Sequence, residues 1–266
     1  MLLIYLLSLL LGIFVGSLIN YAAYKIYGNF KGEFKCPSCK HKLRSNEVVS
    51  IISYLTFQNR CSFCNKLLPK KYPIVEALTG LIFTFIAYNV NLNFFESGIN
   101  EIELFKLIFG WFTASYLIMI ISLDTKWYII PEKLTSAGLV LTILLLSVGT
   151  FILNIYTLEE LSLRIITAFI TFLTFFVVFM FSSKRAISFS DVKFVTFIAL
   201  LFSFPNIISV FIFTFLSGTI AGLILVLLKK KTIKSKIPFS PFLIIGTVIA
   251  LVYGSNVAEW YLSFCK

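Results

Sequence analysis

The chain has 266 residues, of which 59% are hydrophobic and only 13% charged, with a mean hydropathy of +0.95. That leaves too few polar residues to clothe a soluble globule of this length, so the soluble classes are excluded and a bilayer is required. The formal net charge of +11 is spread over short loops between apolar runs. It reads as a membrane-orientation signal rather than a nucleic-acid surface, and no nucleic-acid partner is expected.

A bilayer span takes about 20 apolar residues. Such runs are predicted near 2–24, 74–90, 104–123, 134–153, 163–182, 191–204, 206–228 and 242–261. The expected fold class is an all-α polytopic membrane protein with about eight transmembrane helices and a small cytoplasmic zinc-binding loop domain. The first run lacks a preceding basic region and a small-residue cleavage site, so it is read as a retained span rather than a signal peptide. The sixth is short and ends at Pro205-Asn206, which predicts a tight turn into the seventh. The expected organisation is a first transmembrane helix over 1–24, a zinc-binding domain over 25–72 and a transmembrane core over 73–266. No internal repeat or low-complexity tract is present. The aromatic residues, 17% of the chain, are expected to face lipid or pack between helices.

The loops 25–72, 124–133, 183–190 and 229–241, with Lys193, hold every Lys and Arg except Lys106, Arg164 and Lys266. The opposite side carries Glu96, Glu101, Glu103, Glu159, Glu160 and Glu259. The positive-inside rule places the basic loops in the cytoplasm and both termini outside. A multi-pass protein of the bacterial plasma (inner) membrane is expected.

The long loop 25–72 contains Cys36-Pro-Ser-Cys39 and Cys61-Ser-Phe-Cys64. Two CxxC pairs let four thiolates converge on a tetrahedral Zn²⁺ ion, which with four protein ligands is structural rather than catalytic. A pair of disulfides is the competing reading, and it loses in a reducing cytoplasm. His41, the chain's single histidine, is expected to be an ordinary exposed loop residue, and Cys265 is assigned no role.

The chain has two aspartates, Asp124 and Asp191. Each stands where an apolar run meets a polar loop, and both fall on the expected cytoplasmic side. Ionisable groups at a membrane are costly and usually mark a functional site. Two carboxylates brought together can share one proton and act as an acid/base pair, the chemistry of aspartyl proteolysis. The bland reading makes each a helix cap or the partner of a nearby lysine. Their motifs are Ser-Leu-Asp124-Thr-Lys-Trp-Tyr-Ile-Ile-Pro131-Glu and Ser188-Phe-Ser190-Asp191-Val-Lys193.

Together these motifs resemble the prepilin peptidase, or type IV leader peptidase, family of GxGD-class membrane aspartyl proteases. GIFVGSLINYAAY from Gly12 resembles the family's N-terminal GxxxGSFxNVxxxR stretch. The four-cysteine loop followed by Tyr72-Pro73-Ile74-Val75-Glu76 resembles its zinc loop and YPxVE motif. SLDTKWYIIPEKLT resembles its first aspartate motif, ISFSDVKF its GxGDxK, and Pro238-Phe-Ser240-Pro-Phe242 its PFGPF turn. The resemblance implies cleavage of the basic leader of prepilins or pseudopilins after a glycine. In many members N-methylation of the new N-terminus with S-adenosylmethionine follows. It also implies that Asp124 and Asp191 are the catalytic pair and that Cys36, Cys39, Cys61 and Cys64 hold zinc.

Glu76 is a candidate for gripping the basic leader or the new amino terminus, and Lys193 for stabilising charge near Asp191; an interfacial role is the alternative for each. Ser188, Ser190 and Ser240 replace family glycines. A Cβ disfavours positive φ, so if those glycines serve backbone freedom, the serines are expected to slow the enzyme or move its loop. Asn59 stands where many relatives have glycine before a basic residue and cysteine, in a loop associated with methyl transfer. Two rival classes remain: a zinc-stabilised, non-catalytic membrane scaffold of a pilus or secretion machine, and a transporter with the aspartates as its cation site.

Overall fold

The computed structural model describes residues 2–27, 36, 39, 41, 60–61, 63–66, 71–90, 100–182, 187–229 and 238–263. Cys265 and most of the basic loop residues behind the topology expectation lie outside them. The described residues form eight helices: α1 (Leu2–Tyr27), α2 (Lys71–Asn89), α3 (Glu101–Trp127), α4 (Glu132–Phe151), α5 (Leu158–Phe181), α6 (Phe189–Phe202), α7 (Asn206–Leu227) and α8 (Ser240–Ser263). Each predicted apolar run is one of these helices. Among them α1, α3, α4, α5 and α7 are long and apolar enough to cross a membrane, while α2 and α8 carry shorter apolar stretches, Pro73–Asn89 and Ser240–Gly254. This is a multi-pass, all-helical membrane protein. By contacts the chain divides into two compact units, Met1–Leu123 and Asp124–Lys266.

In the first unit α1 and α2 pack at backbone contact, and Gly12 and Gly16 make this possible. A Cβ on Gly12 would come within 2.7 Å of the Gly80 Cα, and one on Gly16 within 2.7 Å of the Glu76 Cα. Without a hydrophobic driving force between helices in lipid, such small-xxx-small seams supply association through close packing. Trp111 of α3 stacks on Phe83 of α2 with centroids 5.0 Å apart and donates its indole N–H to the Phe83 carbonyl at 3.2 Å.

The second unit is organised around α6. A 14-residue helix rises about 21 Å, short of a hydrocarbon core of about 30 Å. It is therefore enclosed by protein: Val192, Phe194, Val195, Phe197, Ile198 and Ala199 are fully buried, and α4, α5, α7 and α8 all pack on it. Its neighbours keep large apolar side chains exposed, such as Ile166, Phe169 and Met180 on α5, as lipid-facing helices do. The predicted turn at Pro205 is present, with a cis Phe204-Pro205 bond and Ser203 at φ 42°.

The far end of α6 leaves carbonyls without intrahelical partners. Arg164 of α5 meets them: its Nη1 donates to Leu200 O at 3.1 Å and Leu201 O at 2.6 Å, and its guanidinium lies over the Tyr156 ring at 5.0 Å. Thr167 Oγ1 accepts the Phe204 N–H at 3.1 Å. Burial pushes the Tyr156 phenol above its ordinary range, against the lowering effect of Arg164.

Removing the guanidinium strands two carbonyls in a dry setting. Arg164→Met should therefore destabilise the second unit by about 1–3 kcal/mol, read as a lower Tm in detergent. An unchanged Tm would mean that α6 does not depend on this cap.

Candidate active site and metal cluster

Asp124 lies in the last turn of α3, where a carboxylate faces the negative end of its own helix dipole. It is nevertheless buried, with 6% of its surface exposed. The stabilising partner comes from the start of α8. The Ser240 N–H donates to Asp124 Oδ2 at 3.2 Å and the Ser240 hydroxyl donates to the same oxygen. Ser240 is the first residue of α8, so its N–H has no intrahelical acceptor. Tyr128, at φ 56°, ends α3 with its N–H on Asp124 O at 3.0 Å, and Pro131, extended at φ −64° and ψ 130°, opens α4.

Asp191 is the third residue of α6 and closes a reciprocal capping box with Ser188. The Ser188 N–H donates to Asp191 Oδ2 at 2.8 Å, the Ser188 hydroxyl donates to the same oxygen at 2.7 Å, and the Asp191 N–H reaches Ser188 Oγ at 3.2 Å. The capping role that was the bland expectation is thus realised for Asp191. For Asp124, at a helix C-terminus, it is not. Both carboxylates belong to the second compact unit.

Neither serine of the second motif needs a left-handed backbone. Ser188 has φ −89° and ψ 160°, and Ser190 is helical and buried. The backbone penalty expected for these replacements does not arise.

The expected helpers sit elsewhere. Lys193 Nζ donates to Ser136 Oγ of α4 at 2.9 Å and lies 4.6 Å from the Phe189 ring centroid. Among the described residues it pairs with neither aspartate, so it ties α6 to α4. Glu76 is fully buried and accepts from Asn20 Nδ2 at 3.4 Å across the α1–α2 seam.

The four cysteines converge. Their Sγ atoms all lie within 4.8 Å of one another, with Cys36 to Cys64 at 3.6 Å and Cys39 to Cys61 at 3.9 Å. These are not bonded sulfurs. A tetrahedral ion with metal–sulfur bonds of about 2.3 Å has sulfur–sulfur edges of about 3.8 Å, so the thiols fit such an ion. The two knuckles are built alike: Cys36 N–H bonds His41 O at 2.9 Å, and Cys61 N–H bonds Lys66 O at 3.0 Å. Asn65 takes the left-handed position at φ 56°. His41 is exposed, stacks on Phe63 with centroids 4.8 Å apart, and is outside the thiol set.

Comparison with known proteins agrees with this layout. The model of the bacterial Peptidase A24 N-terminal domain matches residues 10–90, and that of the type IV leader peptidase family matches residues 111–226. The chain belongs to the type IV leader peptidase family. The first match carries the four cysteines and Glu76, the second both aspartates. Similar proteins named prepilin leader peptidase/N-methyltransferase occur in Stutzerimonas stutzeri (21% identity, 97% of this chain and 94% of the relative) and Pseudomonas aeruginosa (23%, 97% and 93%). Another of that name occurs in Aeromonas salmonicida (24%, 86% and 74%). No solved structure matches the chain. Family and relatives together mark this leader peptidase as an enzyme of the prepilin leader peptidase/N-methyltransferase type.

Motif reading missed Ser188 and Ser240 as partners of the aspartates. Ser-x-x-Asp before an apolar run is itself a capping-box signal, so Ser188 was findable. Ser240 is 116 residues from Asp124, and no local pattern joins them.

The cluster should carry one metal ion per chain by elemental analysis, and Cys39→Ser or Cys61→Ser should release it. Full metal content in both variants would show that the thiols are not its ligands.

Proposed function

We propose that Asp124 and Asp191 are the catalytic pair of a membrane endopeptidase. It removes the basic leader of prepilins or pseudopilins after glycine and, as a second activity, methylates the new amino terminus with S-adenosylmethionine as methyl donor. The observation that carries the reading is the pairing: the chain's two aspartates sit in one compact unit, each held through one carboxylate oxygen.

Two carboxylates that share a proton supply a base and an acid at once. The ionised member takes a proton from water, whose oxygen adds to the scissile carbonyl carbon. The protonated member donates to the carbonyl oxygen. The C–N bond then breaks as a proton reaches the leaving nitrogen. Base and acid are roles of the dyad rather than of fixed residues.

The cysteine cluster suits zinc in a structural role. Cys36, Cys39, Cys61 and Cys64 would complete a tetrahedron, leaving no position for substrate, and the ion would supply folding energy to the loop. The basic loops support a cytoplasmic active side and external termini in the inner membrane. There a prepilin's apolar helix lies in the bilayer while its leader stays in the cytoplasm. The acidic groups stand at helix ends rather than mid-span, which favours a peptidase over a transporter.

The test uses purified protein and a prepilin with a basic leader and a Gly-Phe junction, read by mass spectrometry. Asp124→Asn and Asp191→Asn should each slow cleavage by at least about a hundredfold. With S-adenosylmethionine the wild-type product should gain one methyl group. Cleavage that persists in either variant would overturn the dyad, and no cleavage by the wild type would favour the scaffold.

A further inference from the structure

Each aspartate of the pair is held in the same way by one serine, 116 residues away at Asp124 and three residues away at Asp191. At Asp124 the donors are the N–H and hydroxyl of Ser240, and both meet Oδ2. At Asp191 they are the N–H and hydroxyl of Ser188, and again both meet Oδ2. Among the described residues, Oδ1 of neither aspartate accepts a hydrogen bond. One oxygen of each carboxylate is therefore saturated by a single serine, while the other stays available to water, proton or substrate.

The two serines reach this geometry from different starting points. Ser188 is exposed in the loop before α6, in an extended backbone. Ser240 is fully buried, as the first residue of α8. Fully burying a hydroxyl is costly unless it is bonded, and the bond that satisfies Ser240 is the one to Asp124. In both cases a helix N-terminus supplies the N–H and the positive end of a dipole, to which the side chain adds an O–H. A hydroxyl donating to a carboxylate makes a charge-assisted bond, about twice as strong as a neutral one. It also removes rotation about the Cβ–Cγ bond that a lone N–H would tolerate.

We infer that Ser188 and Ser240 are positioning residues of the dyad, each clamping one aspartate through Oδ2 so that the two Oδ1 atoms are presented for reaction. This rests on the reading of Asp124 and Asp191 as the catalytic pair. It makes the serines an active part of this chain's site rather than bulk placed where small residues belong. Preorganisation of this kind acts on the chemical step, because displaced acid and base groups slow turnover while remote contacts still bind the substrate helix.

The experiment compares Ser188→Gly, Ser188→Thr, Ser240→Ala and the double variant Ser188→Gly/Ser240→Ala in prepilin cleavage. Asp124→Asn and Asp191→Asn run alongside. Glycine is nearly as good a helix N-cap as serine, so Ser188→Gly removes the hydroxyl while sparing α6. It should lower kcat about tenfold, with KM for prepilin within about twofold and Tm unchanged. Ser188→Thr, which restores the hydroxyl, should recover turnover. Ser240→Ala should likewise lower kcat with little change in KM. The double variant should lose less than the product of the single effects, since both act on one dyad.

If the Asn variants are inactive while Ser188→Gly and Ser240→Ala turn over like wild type, the clamp is wrong and the dyad stands. If the serine variants lose kcat only in step with Tm, or Ser188→Thr fails to rescue, their role is structural and the inference falls. If the Asn variants cleave normally, the catalytic pair itself fails.

Discussion

A helix too short for the bilayer has to be surrounded by protein, and the second unit follows from that constraint. α6 runs 14 residues and buries side chains on every face. Enclosure replaces lipid with packed helices, but the first and last turns still leave backbone groups without intrahelical partners. Both ends are therefore served by polar side chains: Ser188 with Asp191 at the start, Arg164 of α5 at the finish. Lys193 follows the same logic, its ammonium engaged by Ser136 and the Phe189 face rather than left bare. A rigid, enclosed helix is also the kind of support a reacting group needs, because its first turn cannot drift with a loop.

The two carboxylates solve a shared problem by shared means. Asp124 sits at the end of α3, where its own helix dipole opposes it, and depends on the N-terminus of α8 for compensation. Asp191 sits in the first turn of α6, where the dipole favours it. The approach of α8 therefore matters as much as the aspartate motif itself. That approach is set by the α7–α8 seam, where a Cβ on Gly246 would press within 2.8 Å of Val210 O and Ser209 donates to Gly254 O at 3.0 Å.

Much of this was legible in the sequence because membrane helices announce themselves by length and hydropathy, and because chains with two aspartates and four paired cysteines offer few competing sites. The eight apolar runs, the Pro205 turn and the cysteine convergence all rest on local pattern. The partners of Glu76 and Lys193 were not legible for one reason: a charged residue near a helix end reads as interfacial when its neighbour across the helix seam is unknown. Glu76 meets Asn20 across 56 residues and Lys193 meets Ser136 across 57. The serine replacements were misread in the opposite sense. Glycine was weighed for its backbone freedom alone, whereas here Ser188 occupies an extended conformation open to any residue and contributes a donor.

The cysteine loop shows the same trade in a polar setting. Among its described residues the buried side chains are Cys36 and Cys61, with Cys39 and Cys64 packed against them. Among those residues hydrophobic burial does little to offset chain entropy. Two matched knuckles, each closed by one N–H to carbonyl bond five residues on, fix the thiols in pairs at small entropic cost. A metal ion held by the four thiols would do for this loop what α6 does for the second unit, joining the two knuckles at one centre.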